Sequence, residues 1–146
     1  MLNRLIVTLT ATLFTAPLWA DEAITYPSED DFEDTVFSVE SAILDAGLVI
    51  DLTSHTGDML ERTRPVTGSD IVLFEHADIF SFCSASLSRK MMEADIMNIA
   101  HCPYRIFVMQ PGGSDQVTVG FKSMPEGVMK EVEVLLDGIV KDALGL

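Results

Sequence analysis

The sequence predicts an α+β domain: one antiparallel sheet of four or five strands, two main helices packed on one face, and an additional helix between two cysteine-bearing strands. Three observations carry this. Apolar residues recur at helical spacing over 32–46 and again over 128–144. The stretch Ile79–Met109 holds both cysteines and sets a helix-like segment between two strand-like ones. A turn-rich Pro111-Gly112-Gly113-Ser114-Asp115 run separates two β-prone segments, which is a hairpin signal.

The 146 residues, 48% hydrophobic and 22% charged, suit one globular domain with a single core. The first twenty residues stand apart from it. Arg4 is their only charge, Leu5 to Leu18 is apolar or hydroxylic, and Ala20 precedes acidic Asp21 and Glu22. This is the pattern of a secretory signal over residues 1–20, which leaves a single domain over 21–146 and a periplasmic or secreted location. Leu18, bulkier than the usual residue at its place, leaves a later cut after Ala23 or an uncleaved anchor as alternatives. No other apolar run approaches the roughly 20 residues of a membrane span.

In chain order, Ala23 to Tyr26 is a short β-prone run closed by Pro27. Ser28 to Asp31 supply a helix cap and acids that favour the positive end of the helix dipole. Phe32, Val36, Val39 and Ile43 then share one helical face, and Gly47 is the stop. Leu48 to Leu52 is expected as a strand, Gly57 to Arg64 as one or two helical turns ended by Pro65, and Ile79 to Cys83 as a core strand after extended chain from Ile71. In that strand Ile79, Ser81 and Cys83 face away from Phe80 and Phe82. Ser84 or Ser86 caps a helix running through Met91 and Met92 toward His101. Tyr104 to Met109 and Gln116 to Lys122 form the hairpin strands, and Val128 to Ala143 is the last helix, closed by Gly145.

Nine basic against 23 acidic residues give a formal charge of −14, and losing Arg4 with the leader makes the chain one unit more negative. Such a surface repels nucleic-acid phosphates and anionic headgroups, so nucleic acid is excluded as a partner. Most of the acid is a solvated face that keeps the chain soluble.

Cys83 and Cys102 are the only cysteines. An even count in an exported chain points to a disulfide, while a redox-active pair and buried free thiols stay open as alternatives. The spacing is not Cys-x-x-Cys, and there is no second pair to complete a structural zinc site. If the two strands are antiparallel neighbours, both thiols fall at one edge of the sheet, close enough to be bridged; a parallel crossover would part them by about 17 Å. Met91, Met92, Met97, Met109, Met124 and Met129 with His101 are sulfur- and nitrogen-rich enough to raise a soft metal, though methionine at helical spacing is ordinarily core. Adjacent His101 and Cys102 would point to opposite faces of extended chain. Arg105, three positions from Cys102, is likewise expected on the other face. There is no nucleophile elbow, phosphate loop, metalloprotease motif or cofactor fingerprint, and no catalytic or metal-binding residue is assigned.

The residues Phe82-Cys83-Ser84, the MMEAD helix and the AHCPYRIFVM strand entry, with Phe32-Glu33-Asp34-Thr35-Val36 and His55 upstream, resemble the "domain of unknown function 302" family in its exported bacterial branch. The resemblance covers nearly all of the chain beyond the leader. It implies a TATA-binding-protein-like α+β fold, frequently a homodimer, and no established catalytic activity. Some members carry Gly and Leu types where Cys83 and Cys102 stand, so the pair is not essential to the fold. Two function classes follow. One is a non-enzymatic module binding a small ligand or protein in a groove between the sheet and the 84–101 helix, with His55, Phe82, Ser84, Met92, His101 and Tyr104 as candidate binding positions. The other is a thiol, sulfur-handling or soft-metal protein working through Cys83 and Cys102.

Overall fold

The computed structural model describes residues 22–146, so the expected leader lies outside it. The elements are β1 (Ala23–Pro27), α1 (Phe32–Asp45), β2 (Val49–His55), α2 (Thr56–Thr67), β3 (Phe74–Cys83), α3 (Ala85–Ala94), a 3-10 turn over Ile96–His101, β4 (Tyr104–Pro111), β5 (Thr118–Lys122) and α4 (Lys130–Leu144). The strands make one sheet in the order β1-β5-β4-β3-β2, every neighbouring pair antiparallel. The predicted α+β class and antiparallel sheet are the observed ones.

β1 and β2 are consecutive strands at opposite edges, so α1 must cross the whole sheet. Its 14 residues reach about 21 Å, which matches the ~19 Å between the outer strands of a five-stranded sheet. Asp31 caps it by accepting from the Asp34 amide at 2.9 Å, and Gly47, at φ +76°, turns the chain out of the helix into β2. Phe32, Val39 and Ile43 of α1 and Val132, Leu136, Ile139 and Val140 of α4 pack with Phe80, Phe82, Tyr104, Ile106, Val108, Val119 and Phe121 in one core. The strand residues of this set alternate along the chain, so both long helices cover the same face. α3 closes the end of that face through buried Met91 and through Lys90 Nζ, which donates to Glu131 of α4 at 2.6 Å.

Several boundaries differ from the sequence reading. β2 runs three residues past Leu52 because it follows β3 as far as the His55–Asp78 pairing, with a bulge between Ile50 and Leu52. α2 contains Pro65 instead of ending before it: proline forfeits one hydrogen bond late in the helix, and Gly68, left-handed at φ +70°, makes the actual stop. β3 begins at Phe74, since the polar Glu75–Asp78 segment still pairs with β4 and Ala77 is covered by Gly57 of α2. The helix after Cys83 breaks at Asp95, whose extended backbone separates α3 from the 3-10 turn.

Candidate functional site

β3 and β4 are antiparallel neighbours, with Phe82 opposite Tyr104, so Cys83 at the end of one strand meets Cys102 at the entry of the other. Their Sγ atoms lie 2.8 Å apart. Three local features bring Cys102 there. The Asp95 carboxylate accepts from the Met97 amide at 2.9 Å and starts the 3-10 turn. Asn98 Nδ2 donates to the Met91 carbonyl at 2.9 Å, pinning the turn to the end of α3. The Cys102 amide donates to the Ile99 carbonyl at 3.1 Å, closing the turn just before Pro103.

The environments of the two sulfurs differ. Burial, then the neighbouring Cys102 Sγ and the Asp51 carboxylate, push the Cys83 thiol up to about 11, against a weaker opposing hydrogen bond from the Tyr104 backbone. Cys102 instead lines a cleft of about 120 Å³ together with Ala100, His101, Pro103, Arg105, Lys122 and Met124. Arg105 is exposed and, like Arg62 on α2, makes no ion pair among the described residues, whereas Arg64, Arg89, Lys90, Lys130 and Lys141 are each paired with a carboxylate. Behind the cleft, buried Ser88 donates to the Tyr104 hydroxyl at 3.1 Å and lies 3.9 Å from Cys102 Sγ. The Tyr104 hydroxyl is raised, first by burial, and stays protonated.

The candidate positions read from the sequence divide. Cys102, His101 and Tyr104 line the cleft, and Cys83 touches it through Cys102. His101 and Cys102 share it because His101 ends a 3-10 turn, so the alternation of extended chain does not apply to the pair. Phe82 is fully buried core, and Ser84 is the cap of α3, accepting from the Leu87 amide at 3.4 Å. Met92 is half-buried on α3, outside the cleft. His55 pairs with β3 at Asp78, five residues along from the level of Cys83, about 17 Å away at strand rise. Its Nδ1 lies 2.8 Å from the Asp78 carboxylate, which raises its pKa through that hydrogen bond.

Arg105 and Lys122 were not assigned from sequence. Arg105 does face away from Tyr104, but the cleft opens where the chain enters β4 and takes side chains from both sides of that entry. Lys122 arrives from β5, the neighbour of β4, and no local signal announces it. Of the methionines, Met124 reaches the cleft while Met91 and Met129 are core and Met97 is exposed. Among the described residues no group of three or more His, Cys, Asp or Glu side chains is placed to hold a metal ion.

A model of the family described as "Domain of unknown function DUF302" matches residues 24–139. The chain belongs to that family. The match takes in the sheet from the second residue of β1 onward and most of α4, including both cysteines and the whole cleft. The fold of this domain-of-unknown-function 302 protein is also similar to a crystal structure titled an uncharacterized conserved protein of the same family from Bacillus stearothermophilus. That likeness has a TM-score of 0.61 and 13% identity over 84% of this chain and 95% of the other, and it speaks to the fold alone. No curated protein matches the chain.

Proposed function

We propose that this domain-of-unknown-function 302 protein is a small-ligand-binding module whose site is the cleft at the entry of β4, and that the ligand is a small anion. The observation that carries the reading is Arg105. In a chain of formal charge −14 it stands without an ion-pair partner among the described residues, beside His101 and Lys122, in a concave site. A guanidinium offers a planar fork of donors suited to a carboxylate, sulfate or phosphate group. The surrounding acid sharpens selectivity, because an anion gains only where the local potential turns positive. The small cleft admits a ligand group of a few atoms, with the rest of a larger ligand outside.

The test is an NMR titration of the reduced protein with sodium succinate and, separately, sodium sulfate. Saturable shifts confined to 100–105 and 122–124 are expected. Arg105→Ala should weaken binding about tenfold or more, the effect of removing one charge-assisted hydrogen bond. Shifts that never saturate, or that spread over the helix N-termini, would discard the reading. A second reading, a thiol-handling protein, is favoured by the 2.8 Å separation of Cys83 and Cys102 Sγ.

A further inference from the structure

We propose that Cys83 and Cys102 undergo thiol–disulfide exchange in a fixed order, with Cys102 the thiol that meets an external disulfide through the cleft and Cys83 the inner, resolving thiol. This deepens the thiol-handling reading and uses the same cleft as the anion site, but does not depend on stable anion binding. Three observations converge. Both cysteines are half-buried, but only Cys102 of the pair lines the cleft. The two thiols differ in their neighbours: the Asp51 carboxylate acts on Cys83, while the Arg105 guanidinium lines the cleft with Cys102. The sulfurs lie 2.8 Å apart, so a disulfide sulfur formed on Cys102 is already within reach of Cys83.

The chemistry balances with a disulfide RSSR as the named oxidant. The Cys102 thiolate attacks one sulfur of RSSR, forming Cys102–S–SR and releasing RS⁻. Cys83 then loses its proton to solvent and attacks the Cys102 sulfur, forming Cys83–S–S–Cys102 and releasing a second RS⁻. Two protein thiols are oxidised by two electrons, RSSR is reduced by two, and both protons end on the departing thiolates. Cys83 suits the second step: outside the cleft and with its thiolate disfavoured, it is a poor first nucleophile for an external reagent, yet it needs only a short approach to a sulfur already beside it. Arg105 in the cleft favours an RSSR bearing carboxylates, the class that includes oxidised glutathione.

Two disulfides probe this: oxidised glutathione, which is anionic, and bis(2-hydroxyethyl) disulfide, which is neutral. With Cys83→Ser, one adduct should accumulate on Cys102; with Cys102→Ser, modification of Cys83 should be about tenfold slower or more, as it lies outside the cleft and its thiolate is disfavoured. Reduced wild-type protein, acid-quenched early, its remaining thiols blocked with N-ethylmaleimide in denaturant at mildly acid pH and then digested with trypsin, provides a version needing no variant: the adduct should appear in the Met91–Arg105 peptide before the bridged product and not in Thr63–Arg89. Arg105→Ala should slow the glutathione reaction more than the neutral one, so that the ratio of the two rates falls. Equal rates for the two serine variants, or an early adduct on Thr63–Arg89, would overturn the order. A folded wild type that neither reagent modifies would overturn the exchange itself. Failure of the succinate and sulfate titration with the neutral exchange intact would remove only the anion reading.

Discussion

Away from the cleft, Asp137 ties two elements together. Its carboxylate accepts from Lys141 Nζ at 2.8 Å and from the Tyr26 hydroxyl, so it joins α4 to the edge strand β1, and Lys141 Nζ also lies 5.8 Å from the centre of the Tyr26 ring. The hydrogen bond from Lys141, then that from Tyr26, hold the carboxyl below its ordinary 3.8. A depressed carboxylate contributes stability that is complete above its unfolded value and is lost as pH falls through the folded one. The expected result is an acid limb, as pH falls through and below the ordinary carboxylate range, that is visibly flatter in Asp137→Asn than in wild type when urea midpoints are followed. Superimposable limbs would show that the link between β1 and α4 adds nothing. None of this was legible in sequence, where Tyr26 and Asp137 are 111 positions apart and each looks like an ordinary surface residue.

At the scale of elements, α2 shows how one small residue places a whole segment. Gly57 opens the helix directly against β3: a Cβ there would stand 2.6 Å from the Ala77 amide nitrogen and 3.2 Å from the His76 carbonyl carbon. Both neighbours are backbone held in the sheet, so neither can yield without moving β3. Gly57→Ala is therefore expected to destabilise the domain by about 1–3 kcal/mol despite alanine's better helix propensity, the sign that distinguishes a packing constraint from a propensity effect. A urea midpoint at or above wild type would contradict the placement. The sequence announced a helix here but stopped it at Pro65, because local rules weigh proline against the helix and cannot see that Gly68 supplies a complete C-terminal cap three residues later.

For the molecule as a whole, Cys83 and Cys102 are the one covalent link the chain can make within itself. They close a modest loop, α3 and its 3-10 turn, at the end of the sheet where the core is capped by Met91. Joining them should stabilise the domain by about 3 kcal/mol through the narrowed unfolded ensemble. Urea unfolding of oxidised and dithiothreitol-reduced protein compares the two directly, and coincident curves would mean that the bridge strains the folded state by as much as it restrains the unfolded one. The reduced form should remain folded, because the core of α1, α4 and the sheet is complete without the link.

The sequence by itself determined the kind and order of the elements. Phe32, Val39 and Ile43 mark one helical face, the alternation through Phe80 and Phe82 marks a strand, and Gly47 and Gly145 mark helix ends; each is read over a few residues, within which backbone geometry is local. It also tied the fate of the cysteines to a single topological question, since a strand end and the next strand start meet only between antiparallel neighbours. The tertiary structure alone decided the answer, along with the β1-β5-β4-β3-β2 order that sends α1 across the sheet. It also decided the break at Asp95, where the Asn98 bond to the Met91 carbonyl replaces a continuous helix. The convergence of Arg105, from β4, and Lys122, from β5, on Cys102 belongs to the same class. Those features depend on which distant segments share the core, and pairing across the sheet leaves no periodic trace in the chain that makes it.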